Sequence, residues 1–486
     1  MLFNSFSFLF FLPIVFIFYW HVFQRNLRWQ NLFVVVVSYV FYGWWDWRFL
    51  LLIVFTSLCS YGSGLLIDHC YLRDDKKIAK WWAGLNIVVN LLVLGVFKYF
   101  NFFADNLQSL FACLGLLLDA PTLKVILPVG ISFYTFQALS YTIDVYRRQL
   151  PASHDIGAFF AFISFFPQLV AGPIERASNL LPQFLSQRKF DYANAVDGLR
   201  QMLWGFFKKL VVADNCAIAV NLIWESYTDQ SGLALWIAAF LFTFQIYCDF
   251  SGYSDIAIGC ARLFGINLRR NFDVPYFSRN IQEFWRRWHI SLMTWFRDYV
   301  YFPLGGSRCG KLMTIRNIFI VFLLSGLWHG ADWTFVLWGL YHGMLLSFLL
   351  IMGSRLKYKK DIVADGHWLP SLKELGQMIA TFILVLIGWI IFRAENIDQL
   401  SGVGAKLFSA DGFFNLYGSS LRADVFVFIA FMLTVEWSQR TKQHALLFPD
   451  IKLFHYRFVR ISIYYFLITL IWVAYSSSQQ FIYFQF

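Results

Sequence analysis

The sequence predicts an all-α polytopic membrane protein, and three observations predict it. Hydrophobic residues fill 59% of the 486 positions and charged residues only 14%, against about 25% charged in a soluble domain. Apolar runs long enough to cross a bilayer recur along the chain, separated by short basic loops. A third sign is 57 Phe, 24 Tyr and 20 Trp, rings suited to lipid-facing and interfacial helices. The net charge of +11, from 40 Lys and Arg against 29 Asp and Glu, belongs to cytoplasmic loops and not to nucleic-acid binding. Seven cysteines form no CxxC pair, so neither a disulfide framework nor a zinc site is expected. No Walker loop or dinucleotide-binding glycine fingerprint is present.

The elements follow in order. Met1 to Trp20 lacks a basic leader and a small-residue cleavage site, and reads as a first membrane helix rather than a signal peptide. Arg25 and Arg28 place the next loop in the cytoplasm and the N-terminus outside. Spans at 31–42 and 47–67 return the chain to the basic loop of Arg73, Lys76, Lys77 and Lys80. A second pair, 83–100 and 122–144, returns it to Arg147 and Arg148. Further candidates are 155–171, 196–223, 232–264, 317–328, 331–352, 376–393, 422–437 and 461–476, several of them re-entrant. Arg457 and Arg460 before the last helix put the C-terminus outside, which requires an even number of crossings, about ten to twelve. One membrane domain over 1–486 is expected: N-terminal helices to 150, a polar-residue-bearing core at 155–352, C-terminal helices at 376–476, and an extracytoplasmic tail at 479–486.

Candidate chemistry begins at His329. It sits within an apolar run from Ile318 to Met352, too long for one crossing of a core about 30 Å thick. Gly326 and Gly330 on either side offer a break. Helix geometry puts His329 about 20 Å from Arg316, at membrane depth, where a charged group costs roughly 2.5 kcal/mol or more.

From Arg269 to Arg316 stand nine basic residues and three acids. Ile281, Trp285, Trp288, Leu292 and Trp295 share one helical face there, predicting an amphipathic helix in the cytoplasmic interface. Arg286, Arg287 and Arg297 are candidates either for lipid headgroups or for a phosphate-bearing ligand. His289 lies in the same segment. Two polar islands interrupt apolar runs. Phe166–Arg176 carries prolines and a glycine; Tyr247–Asp255 carries Asp249 and Asp255. Each fits a hinge or polar glue in a bundle; together with His329 they point to a polar cavity in the bilayer. The tail ends Phe481-Ile482-Tyr483-Phe484-Gln485-Phe486, an aromatic belt whose only hydroxyl is Tyr483.

Four segments carry a resemblance: FPQLVAGPIER at 166–176, YCDFSGYSDIAIG at 247–259, NFDVPYFSRNIQEFWRRWHISLMTWFRDYVYFPLGG at 271–306 and SGLWHGADWTFVLWGLYHG at 325–343. In these the chain resembles the membrane-bound O-acyltransferase family, and within it the bacterial polysaccharide and alginate O-acetyltransferase branch. The resemblance implies broken and re-entrant helices around a central tunnel in the inner membrane. It implies His329 as catalytic and His289 as a second functional histidine; Asp249, Asp255 and Trp328 join the three arginines as candidates for substrate or donor binding. It implies acetyl-coenzyme A as a cytoplasmic donor substrate with no bound cofactor or metal. The acceptor would be an exported glycan, reached with an extracytoplasmic partner enzyme. FIYFQF resembles a short aromatic motif of this branch and of a partner peptide in D-alanyl transfer, which makes Tyr483 a candidate acyl carrier.

Chemically, a neutral imidazole at His329 would take the proton of an attacking hydroxyl, work typically worth about 10²–10⁴-fold. Two other readings compete: a D-alanyl transferase of the same family, and a transporter for a lipid-linked sugar. Helix breaks and intramembrane acids fit the transporter; the two histidines and the tail motif do not.

Overall fold

The computed structural model describes residues 1–116, 122–123, 128–353, 362–409, 413–414, 422–448, 452–475, 479 and 481–482. The described elements are all helical, as the sequence predicts. Seven helices are long and apolar enough to cross a membrane: Phe49–Leu72, Lys76–Cys113, Gly232–Leu263, Lys311–His329, Trp333–Ile351, Leu372–Arg393 and Arg457–Ala474. The protein is thus a multi-pass membrane protein. The expected span at 155–171 is instead two short helices, Ile156–Ser164 and Phe166–Leu169, because Pro167 and the following Gly172-Pro173 cannot continue a helix.

Contacts divide the chain into two compact units, Met1–Gly198 with Ala257–Arg269, and Leu199–Ile256 with Arg270–Phe486. In the first, Asn26 and Asp75 cap the helices Leu27–Gly43 and Lys76–Leu94 by accepting backbone N–H groups that the first turn leaves unpaired. Polar side chains then join helices where apolar packing alone would not fix register. Asn86 donates to Thr142 at 2.6 Å and to Ser60 at 3.3 Å, tying three helices together. Arg188 is buried and donates to Gln30 and Asn31 at 2.9 and 2.6 Å. Glu175, from the first polar island, is fully buried and accepts the Arg269 N–H at 2.5 Å and the Asn179 amide at 2.7 Å.

In the second unit, the helix Lys311–His329 turns back at Gly330 into the helix Trp333–Ile351, whose first N–H groups are capped by Asp332. The expected break is therefore present, but it falls at Gly330 alone. Gly326 lies inside the helix and serves close approach. A Cβ there would overlap the Phe335 carbonyl oxygen, and one at Gly339 would overlap that of Phe322. The two backbones pack at small residues, the usual way membrane helices gain contact without a hydrophobic drive. The Tyr247–Asp255 island does not break its helix; Gly232–Leu263 runs through it uninterrupted.

Gly326→Val is expected to lower the thermal midpoint of the purified protein, overpacking of this kind typically costing about 1–3 kcal/mol. Gly62→Ala, where a Cβ meets nothing within 4 Å, should leave it unchanged. Equal midpoints for both variants would contradict the close helix contact.

Candidate active site

The expected interfacial helix is not one helix. It divides into Ile281–Arg287 and Ile290–Phe296, with His289 between them in the left-handed region at φ +45°. A side chain held there costs roughly 1–3 kcal/mol and marks a position fixed by its surroundings. Asn271 is what fixes it. Its carbonyl accepts the Ile290 N–H at 2.9 Å, and its Oδ1 accepts the Ser291 hydroxyl at 2.9 Å and faces His289 Nδ1 at 3.1 Å. An amide oxygen opposite Nδ1 requires the proton on Nδ1, which leaves the lone pair on Nε2. Nε2 is buried and has no hydrogen-bond partner among the described residues. Burial also lowers the imidazole from its ordinary value to about 3, so His289 is neutral at physiological pH.

The apolar residues of this segment are not at a surface either. Ile281, Trp285, Trp288, Leu292 and Trp295 are all buried, which places the segment inside the unit and not on a lipid interface. His289 packs edge-on to Phe250 at 4.6 Å and lies 5.8 Å from the Trp328 ring. His329, buried at the last turn of its helix, lies 5.0 Å from the same Trp328 and 5.1 Å from Trp338. The two histidines thus share one aromatic neighbour. A third, His342, is fully buried 5.0 Å from Trp338 and 4.9 Å from Trp285, with neither ring nitrogen hydrogen-bonded among the described residues.

The arginines divide differently from expectation. Arg287 is buried and committed, 2.9 Å from Glu283 and 3.5 Å from Asp273. Arg279 shares the same Glu283 at 3.0 Å. Burial raises the Glu283 carboxyl, but hydrogen bonds from Arg279 outweigh it and hold it below its ordinary value. A buried cation needs such a partner, so Arg287 is structural here and not a free phosphate ligand. Arg297 is exposed and paired with Asp298 at 2.7 Å, while Arg286 is exposed and enters no ion pair among the described residues.

Asp249 and Asp255 belong to a buried network whose other half went unread. The helix Tyr192–Phe206 passes into a π-helical turn, Phe207–Ala213. There a Cβ on Gly205 would stand 2.6 Å from the Gly252 carbonyl oxygen, so the two backbones nearly touch. That approach lets two consecutive lysines reach different acids. Lys208 pairs with Asp255 at 2.7 Å and Lys209 with Asp249 at 2.7 Å and Asp214 at 2.9 Å. Glu436, hydrogen-bonded by the Tyr247 hydroxyl at 2.9 Å, stands 3.9 Å from Lys208. Lys208 and Lys209 fall within the expected apolar span 196–223; two adjacent lysines in such a run were the available signal.

Of the tail expected outside at 479–486, the described Phe481 and Ile482 lie inside this unit. Phe481 and Ile482 are buried, and the Ile482 N–H donates to Asp249 Oδ2 at 2.8 Å. The Phe481 ring lies 5.0 Å from Tyr253 and 6.2 Å from Phe250, the ring that also touches His289. Tyr483 lies outside the described residues. The first unit holds an open polar cavity of about 530 Å³ lined by Lys189, Asp191, Asn194, Arg262 and Asn267; none of the expected site residues lines it.

Helices long and apolar enough to cross a membrane make this a membrane protein, and inside its second unit two buried histidines meet at one tryptophan. The chain belongs to the membrane-bound O-acyltransferase family, whose pattern matches residues 32–359. It is 42% identical to the probable alginate O-acetylase of Pseudomonas aeruginosa over 84% of this chain and 75% of that protein. It is 34% identical to the peptidoglycan O-acetyltransferase of Helicobacter pylori over 82% of this chain and 78% of that one. The teichoic acid D-alanyltransferase of Bacillus subtilis is 30% identical, over 55% of this chain and 69% of its own length. The protein is accordingly an acyltransferase, and the transporter reading falls.

Lys209→Met should lower the thermal midpoint strongly, because it strands two buried carboxylates, a loss typically of about 3–5 kcal/mol. Arg286→Ala, at an exposed residue without an ion pair, should leave the midpoint in place. A Lys209→Met protein as stable as wild type would remove the network from the account of the fold.

Proposed function

We propose that the protein transfers an acetyl group from cytoplasmic acetyl-coenzyme A, across the inner membrane of a bacterium, to a hydroxyl of an exported polysaccharide or cell-wall glycan. The observation that carries this reading is the pair of buried histidines at Trp328, in a chain whose relatives by name acetylate alginate and peptidoglycan. Acetyl is favoured over D-alanyl because the D-alanyl relative matches only 55% of the chain, against 82–84% for the acetyl-transferring ones.

In the first transfer, the Tyr483 hydroxyl attacks the thioester carbonyl as His329 takes its proton. The carbon–sulfur bond breaks, and the coenzyme A thiolate leaves with that proton. His289, neutral and with Nε2 bare, offers the acceptor that orients the hydroxyl. In the second, a glycan hydroxyl takes the acetyl group from the tyrosine ester and its proton returns to the phenolate. An extracytoplasmic partner enzyme catalyses this second transfer. A thioester is already activated, so neither step draws on ATP. Arg286 is the arginine left to meet the donor phosphates at the cytoplasmic mouth.

His329→Ala is expected to cut coenzyme A release from acetyl-coenzyme A by about 10²-fold or more, the scale of general-base catalysis. Release within about tenfold of wild type would argue against that role. Asn271→Ala should lower the same rate by about tenfold while the fold persists, by freeing the His289 ring from its tautomer. An unchanged rate would show that His289 needs no such orientation. Tyr483→Phe should keep donor binding but end glycan acetylation in cells, and persistence of acetylation would sink the tyrosine step.

A further inference from the structure

We propose that Asp214, Lys209 and Asp249 form a receptor for the backbone of the chain's own C-terminal segment, anchoring Gln479 and Ile482 inside the second unit. Three contacts define it. The Gln479 backbone N–H faces the Asp214 carboxylate. Lys209 Nζ donates to the Gln479 carbonyl at 3.5 Å. The Ile482 N–H donates to Asp249 Oδ2 at 2.8 Å. The same Lys209 bridges the two acids, 2.9 Å from Asp214 and 2.7 Å from Asp249, so one cation holds both carboxylates at the spacing the tail requires.

The receptor takes N–H, C=O and N–H groups in turn, and so grips main chain without reading side chains. Burial makes each contact count. Asp214, Lys209, Asp249 and Ile482 are all buried, and the Ile482 N–H would otherwise be left unpaired away from water. Phe481 adds the apolar part of the grip against Tyr253 and Phe250.

Two consequences follow for the reaction. Asp249, a candidate for donor binding by sequence, becomes a positioning residue for the acceptor tyrosine, which is the next residue after Ile482. The anchor also lies one ring away from His289, through Phe250. This part rests on the proposed role of Tyr483, while the receptor itself does not.

The test is hydrogen–deuterium exchange of the C-terminal peptide in the full-length protein in lipid nanodiscs, beside glycan acetylation in cells. In wild type the Gln479 and Ile482 amides should be protected. Asp249→Ala should speed exchange at Gln479 by about tenfold or more, the effect of one charge-assisted hydrogen bond. Ile482→Pro should do the same, because proline has no N–H to donate and the substitution leaves the buried network whole even if Asp249→Ala fails to fold. Asp249→Asn, which keeps an acceptor oxygen, should restore much of the protection. An unprotected wild-type tail, or a Gln479 amide indifferent to Ile482→Pro, overturns the receptor. A tail loosened by Ile482→Pro with glycan acetylation intact keeps the receptor and removes the tyrosine step.

Discussion

The structure of the second unit depends on two adjacent lysines buried against four carboxyl groups. Such a cluster is costly to bury and survives only when every charge has a partner. Here the partners are supplied from distant parts of the chain: Asp214 beside the lysines, Asp249 and Asp255 on the Gly232–Leu263 helix, and Glu436 from Ala423–Ser438. The contact of Gly205 with Gly252 makes the reach short enough, and the π-helical turn lets neighbouring lysines diverge. Once those helices are fixed, Phe250 is fixed with them, and Phe250 packs edge-on against His289.

A second constraint is the backbone break at His289. A continuous helix through 281–296 would carry the imidazole round with its neighbours and leave its orientation to a rotamer. Instead, Asn271 captures both the Ile290 N–H and the ring, so a single residue starts the second helix and sets the tautomer. The second histidine arrives by another route, at the end of the helix Lys311–His329, where Gly330 releases the chain before Asp332 caps the next helix. Helix ends deliver both side chains, and at such ends a side chain leaves the regular surface of the bundle.

Much of this was legible in the sequence. Low charge and recurring apolar runs gave the fold class, and one histidine in an apolar run gave the position of the break to within a residue. Periodicity misled at 281–295. Tryptophans and arginines at helical spacing look alike whether a helix lies on a bilayer or in a core, and only the pairing of Arg279 and Arg287 with Glu283 separates the two. Charge counting misled in the same stretch, since it treats a buried, neutralised arginine as available. Lys208 and Lys209 were passed over because a hydropathy window absorbs two lysines among so many apolar neighbours. The buried place of Phe481 and Ile482 was beyond reach, because a main-chain hydrogen bond to Asp249 leaves no trace in side-chain pattern.

The central claim is that the histidine pair passes an acyl group to the chain's own tail within the second unit. The most direct measurement is mass spectrometry of the C-terminal peptide after the purified protein is mixed briefly with acetyl-coenzyme A. Gain of one acetyl mass on Tyr483 in wild type, and its loss in His329→Ala, is the expected result. Coenzyme A release by wild type with Tyr483 unmodified at every time point would contradict the claim.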